Sequence, residues 1–152
     1  MSSMGEARSA RIDGHDEDRG AERPDGARSP MPWQVISAAL LLVMGGIHLF
    51  LVLTGTGGEL GVLFVLNAIG ALVLAIAMVA APRGLLPLAS VLSLLFMVGT
   101  LLALVVALTV GLFGISETLG GELVVTTIVV ESIGIIVLAV TTAMVYRVRH
   151  AR

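Results

Sequence analysis

Residues 60–113 read LGVLFVLNAIGALVLAIAMVAAPRGLLPLASVLSLLFMVGTLLALVVALTVGLF, and a single charge, Arg83, interrupts them. A helix needs about 20 apolar residues to cross roughly 30 Å of hydrocarbon. The stretch holds one such run on each side of Ala81-Pro82-Arg83-Gly84. There Pro opposes continuation of a helix and Gly permits a turn. Two antiparallel membrane spans are therefore written into this segment alone. Similar runs flank it, from Trp33 to Leu53 and from Leu123 to Tyr146. The expected spans are about 33–53, 60–81, 85–113 and 123–146, within a transmembrane domain of residues 31–146. Thr54-Gly55-Thr56-Gly57-Gly58-Glu59 forms a polar turn between the first two spans, and Gly114 to Gly121 a longer loop between the last two. Short links make consecutive helices antiparallel neighbours. The expected fold is all-α: an integral-membrane, up-down four-helix bundle.

Composition agrees. Of 152 residues, 57% are hydrophobic and 13% charged, and mean hydropathy is +1.02. A soluble domain has roughly a quarter of its residues charged. A chain this short has no polar shell with which to bury four such helices in water. There is no Cys and no Lys, which excludes a disulfide scaffold, Cys-ligated metals, a Schiff-base lysine and a P-loop lysine. The net charge of −2 gives no basic field for nucleic acid.

That net charge resides in residues 1–30, which are rich in Gly, Ser, Arg and Asp and poor in large apolar side chains. Such a segment cannot bury enough surface to offset its ordering entropy, so a disordered tail is expected. Arg28, just before the first span, and Arg83, Arg147, Arg149 and Arg152 fall on one side of a four-span chain, whereas Glu59, Glu117 and Glu122 fall on the other. The positive-inside rule then places both termini and the 82–84 turn in the cytoplasm of a multi-pass cell-membrane protein. Residues 147–152 form a basic cytoplasmic end that attracts anionic lipid. Trp33 and Tyr146 fall at the same boundary. Small residues that permit close helix approach stripe each span, among them Ser37, Ala38, Gly45 and Gly46 in the first, Gly70, Ala71 and Ala75 in the second, Ser93, Thr100, Ala103, Ala107 and Gly111 in the third, and Gly134, Ala139 and Ala143 in the fourth.

Polar side chains inside a membrane are costly unless paired, hydrated or neutral. His48, Asn67 and Glu131 are the principal ones, with Thr127 (beside Thr126) secondary. At about 1.5 Å per residue, all three lie some 8–13 Å below the outer edge, on three different helices. Thr127, Glu131 and Gly134 share a face at i, i+4 and i+7. A polar cluster in the outer half of the bundle is expected. Its bland reading is a set of interhelical hydrogen bonds, each contributing about 0.5–2 kcal/mol. Its functional reading is a proton or ligand site. One His, one Asn and one Glu lack the spacing of a metal motif, so no metal is expected, nor any cofactor. Nothing resembles a serine nucleophile, a phosphate loop or a pair of catalytic carboxylates, so no catalytic residues and no enzymatic activity are expected.

Gly46-Ile-His48-Leu-Phe-Leu, followed after a short turn by Gly61-Val-Leu-Phe64-Val-Leu-Asn67-Ala, resembles a pattern in small four-span membrane proteins of high-GC bacteria. There a His-Leu pair ends the first span and Leu-Phe-x-Leu-Asn opens the second. The resemblance covers the first two spans and implies fold and location, with no activity attached. The expected function is that of a non-enzymatic structural or accessory membrane protein. The alternatives are a small proton-coupled transporter using Glu131, and an accessory subunit of membrane redox chemistry with His48 as a ligand. Expected partners are the lipid bilayer and a second copy or another membrane protein, not nucleic acid.

Overall fold

The computed structural model describes residues 31–111 and 123–150. The expected tail 1–30, the loop 114–121 with Glu117, the acid Glu122 and the last two residues lie outside the described residues. Among the described residues are four helices, α1 (Pro32–Leu53), α2 (Gly58–Ala80), α3 (Leu86–Thr109) and α4 (Val124–His150), and each is long and apolar enough to cross a membrane.

Local chemistry sets their ends. Pro32 opens α1, and the Met31 N–H donates to Gln34 Oε1 at 2.7 Å, filling one of the donors that a helix start leaves without a partner. At the other end Thr54 Oγ1 donates to the Phe50 carbonyl at 2.9 Å, and Gly55, with φ of 124°, turns the chain where a side chain would be strained. Glu59 lies in the first turn of α2, where the helix dipole favours an acid. Between α2 and α3 the Leu85 N–H donates to the Pro82 carbonyl at 2.9 Å and closes the turn.

Three boundaries differ from expectation. Helix α2 starts two residues early, because Gly58 with φ of 65° enters it from the glycine-rich turn. Helix α3 stops at Thr109 rather than near Phe113. Its last turn closes when Gly111, with φ of 81°, donates its N–H to the Val106 carbonyl at 3.0 Å. Gly111 thus belongs to the helix stop and not to a packing stripe. Helix α4 continues to His150, so the expected basic end begins as a helical extension and not as a separate segment. Nothing local ends it earlier: Tyr146-Arg147-Val148-Arg149-His150 contains neither Gly nor Pro.

The helices pack in a ring, α1 against α2 and α4, and α3 against α2 and α4. We call the end where α1 begins and α4 finishes proximal, and the end bearing the 54–57 turn distal. The closest pair is α1 with α2. A Cβ on Gly45 would lie 2.8 Å from the Ala71 Cβ, so only glycine allows this approach. The loosest neighbours are α2 and α3. The 81–85 turn joins them proximally, and Phe96 packs over Gly70, where an added Cβ would meet its ring at 3.0 Å.

Leu41, Met44, Met78, Met97 and Leu138 are completely buried and fill the middle and proximal parts of the bundle. Large apolar side chains also cover the outside: Leu66, Val73, Leu95 and Ile136 are each more than half exposed. In water such a surface would aggregate, whereas in a bilayer it faces lipid tails. The protein is an all-α, four-span membrane protein.

Candidate functional site

Distal to Phe96 the loose α2–α3 seam opens into a cavity of about 900 Å³. Its wall is built from the last turns of α1, the first half of α2, the second half of α3 and the start of α4. His48, Asn67, Thr100 and Thr127 are the polar side chains that the helices contribute to it below the 54–56 turn. The rest of the wall is chiefly apolar, with Leu63, Phe64, Leu66, Leu95 and Phe96 prominent. No Arg, Asp or Glu lines it among the described residues.

His48 is buried, and its Nδ1 lies 2.9 Å from the Met44 carbonyl one turn earlier in α1. A carbonyl can only accept, so Nδ1 carries the proton and donates. In the neutral ring this leaves Nε2 as an acceptor. Phe64 on α2 meets the imidazole edge-on, with centroids 5.0 Å apart. The Met44 carbonyl therefore fixes the tautomer of the ring, and Phe64 packs against it from α2.

Asn67 lies one turn below Phe64. Its Oδ1 is buried with no hydrogen-bond partner. Thr127 is buried on α4, and its hydroxyl donates to the Leu123 carbonyl at 2.9 Å. Thr126, its neighbour in sequence, faces outward.

Glu131 does not line the cavity. It sits one turn proximal to Thr127, is completely buried, and neither carboxyl oxygen has a hydrogen-bond partner. Thr100 is the hydroxyl residue that approaches it from α3. The Thr100 proton, however, goes to the Met97 carbonyl at 2.9 Å, so it does not serve the carboxyl. Because Thr100 and Thr127 both stand on the cavity wall, Glu131 lies one side chain behind that wall.

The structure therefore places His48, Asn67 and Thr127 around one space and sets Glu131 behind it. The interhelical hydrogen bonds expected among His48, Asn67 and Glu131 are not made. His48 is bonded within its own helix, and the other two present oxygens with no donor. Among the described residues, side-chain hydrogen bonds cross helices in the proximal half: Ser37 Oγ lies 3.0 Å from Thr141 Oγ1, and Thr141 Oγ1 lies 3.4 Å from the Trp33 carbonyl, joining α1 to α4. Counting levels from the ends of the spans would have found that pair. Thr142, beside Thr141, gave no means of choosing between the two. Thr100 entered the sequence reading only as a small residue in a stripe. Its place on the wall follows from the splay of α2 from α3, which periodicity does not encode.

Of the small residues expected at seams, Ser37, Ala38, Gly45, Ala71, Ala75, Ser93, Ala107 and Gly134 are buried, whereas Gly46, Ala103, Ala139 and Ala143 are exposed. Among the described residues, no three His, Asp or Glu side chains converge as a metal site would require. The chain has no significant match to a protein-family model, to a curated protein or to a solved structure.

Proposed function

We propose that this is a non-enzymatic, accessory membrane protein whose distal cavity binds and does not conduct. What supports the reading is that the cavity is blind. Its wall lies at the middle and distal levels of the bundle, and beneath it Leu41, Met44, Met78, Met97 and Leu138 are fully buried, together with the hydroxyls of Ser37, Ser90, Ser93 and Thr141. A pathway for ions or polar solutes needs polar or hydrated lining along its whole length. The fully buried Leu41, Met44, Met97 and Leu138 interrupt any such lining here.

The protein acts in the cell membrane with both termini cytoplasmic, as the arginines at 83 and 147 on the proximal end and Glu59 on the distal end favour. An accessory role calls for a partner inside the bilayer, either a second copy or another membrane protein. We also propose kinship with the small four-span proteins whose His-Leu and Leu-Phe-x-Leu-Asn segments this chain resembles. In support, His48, Phe64, Leu66 and Asn67, which carry that pattern, all stand on the cavity wall.

One observation favours a second reading, a proton-coupled carrier. Glu131 is completely buried with two unpartnered oxygens, a costly arrangement unless the carboxyl has work to do. Proteoliposomes containing a pH-sensitive dye decide between the readings. An accessory binding protein leaves an imposed pH gradient to decay as in empty vesicles, with wild type and Glu131→Gln alike. Faster decay with wild type, lost in Glu131→Gln, establishes the carrier and overturns the accessory reading.

A further inference from the structure

We propose that the distal cavity is a binding site for a neutral, hydroxyl-headed amphiphile drawn from the bilayer, which enters between α2 and α3. The inference rests on the reading of the cavity as a blind binding pocket. It goes further by naming the ligand's chemistry and route.

The head is defined by what the wall lacks. Asn67 Oδ1 is buried with no donor. His48 spends its Nδ1 proton on Met44, and Nε2 remains an acceptor. Thr127 and Thr100 commit their protons to the carbonyls of Leu123 and Met97. His48, Thr127 and Thr100 thus keep their protons for the backbone and have lone pairs left for a donor, while the Asn67 amide adds an unpartnered oxygen and an N–H group. A ligand that satisfies such a wall must donate to most of it and can accept from the Asn67 amide, and a hydroxyl does both. A phosphate or carboxylate would bring more acceptors and negative charge. It would find no cation on the wall, and the carboxyl of Glu131 behind it. Anionic headgroups are therefore disfavoured by both hydrogen bonding and electrostatics.

The tail is defined by the seam. Leu63 and Leu66 on α2 and Leu95 on α3 line the cavity and remain exposed along the α2–α3 seam. The apolar wall is thus continuous with the surface that faces lipid. The volume of about 900 Å³ falls in the range of sites that take small organic ligands. A chain lying along the seam can leave its head between α1, α2 and α4 while its tail rejoins the hydrocarbon.

Gly99 allows a clean test. It lines the cavity, and a Cβ built on it meets nothing within 4 Å, so a side chain there starts into open space and its bulk takes up cavity volume. The full chain is reconstituted in phosphatidylcholine nanodiscs with one of three diazirine probes of equal chain length: a fatty alcohol, the matching fatty acid, or the matching phosphatidylcholine. Crosslinked peptides are quantified by mass spectrometry after irradiation. The alcohol is expected to label the segments 63–67 and 95–103 well above the lipid-facing positions Val73 and Ile136, and above either other probe. Gly99→Phe is expected to abolish the excess. Asn67→Leu, which removes one acceptor, is expected to lower the preference for alcohol over acid by roughly five- to tenfold, the worth of one hydrogen bond.

Equal labelling of these segments by all three probes means that bulk lipid fills the seam, and overturns the proposal. So does alcohol labelling that survives Gly99→Phe in a protein of unchanged helix content, or a preference that Asn67→Leu leaves intact. If Gly99→Phe does not fold, the Asn67→Leu comparison and the three-probe ranking decide alone. Failure here with no proton flux removes only the ligand assignment. Flux together with selective labelling removes the accessory reading and leaves the ligand in place.

Discussion

Ser37 Oγ on α1 and Thr141 Oγ1 on α4 lie 3.0 Å apart, both fully buried, and tie the first helix to the last. The single Thr141 proton goes to the Val137 carbonyl at 2.8 Å, so Ser37 donates across the interface. A serine six residues into a membrane helix ordinarily bonds back to its own backbone. Here it spends its proton on a neighbour, which closes the ring of four helices at the proximal end. Among the described residues the distal end has no such tie, and there the bundle holds its cavity.

Breaking this tie should cost little, because Thr141 keeps its own intrahelical bond. Ser37→Ala is expected to lower stability by about 0.6 kcal/mol and by no more than about 2, the range of interhelical bonds in lipid. The double variant with Thr141→Val should then cost less than the two single changes added. Denaturation in mixed micelles or bicelles, run as a double-mutant cycle, measures the coupling. Strict additivity would show that the two hydroxyls do not interact.

Two adjacent glycines should behave oppositely. A Cβ at Gly45 falls 2.8 Å from the Ala71 Cβ and 3.4 Å from the Ala68 carbonyl oxygen, backbone and short side chain that cannot swing away. Gly45→Val should therefore destabilise by about 1–3 kcal/mol. At Gly46 an added Cβ meets nothing, and Gly46→Ala should be neutral or stabilising by up to about 1 kcal/mol through helix propensity. The same unfolding assay checks both; equal effects would contradict the α1–α2 packing described above.

Glu131 is expected to be a residue that stability would do without. Its two unpartnered oxygens cost free energy that an apolar side chain of similar volume avoids. Glu131→Leu should leave stability unchanged or raise it by about 1–3 kcal/mol. A marked loss instead would reveal a bonding partner for the carboxyl in the membrane-embedded protein.

The proposed topology rests on the arginines and is tested without purification. A reporter active only in the cytoplasm should work when fused to the C-terminus and fail when inserted at Gly57. Exchange of Arg83 and Arg147 for Glu, with Glu59 exchanged for Arg, should weaken or invert this preference. Activity at Gly57 in the unaltered chain would reverse the assigned sidedness.

The fold was legible because membrane spans are a property of runs, and runs survive without knowledge of neighbours. Pro82 and Gly84 mark a turn in any context, and the polar glycines from 55 to 58 do the same. Helix ends were less legible where one residue's dihedral angle decides them, as at Gly111. The candidate residues His48, Asn67 and Glu131 stood out because lipid makes polarity expensive, and their common depth follows from a fixed rise per residue. Their relations to one another did not follow. Rotation of each helix about its axis is set by contacts such as Gly45 on Ala71 and Met97 on Gly134, and these decide which polar group reaches the cavity and which is walled off.

The amino-acid sequence alone determined that this chain crosses a bilayer four times, since apolar length and backbone hydrogen bonding leave a segment in hydrocarbon no other form. Only the tertiary structure decided that α2 and α3 part distally, that His48 and Asn67 face the resulting space, and that Glu131 stands behind Thr100 and Thr127. The physical reason is that lipid and protein interior are equally apolar. The hydrophobic effect therefore cannot dictate which helix faces meet, and steric fit between small and large side chains settles it.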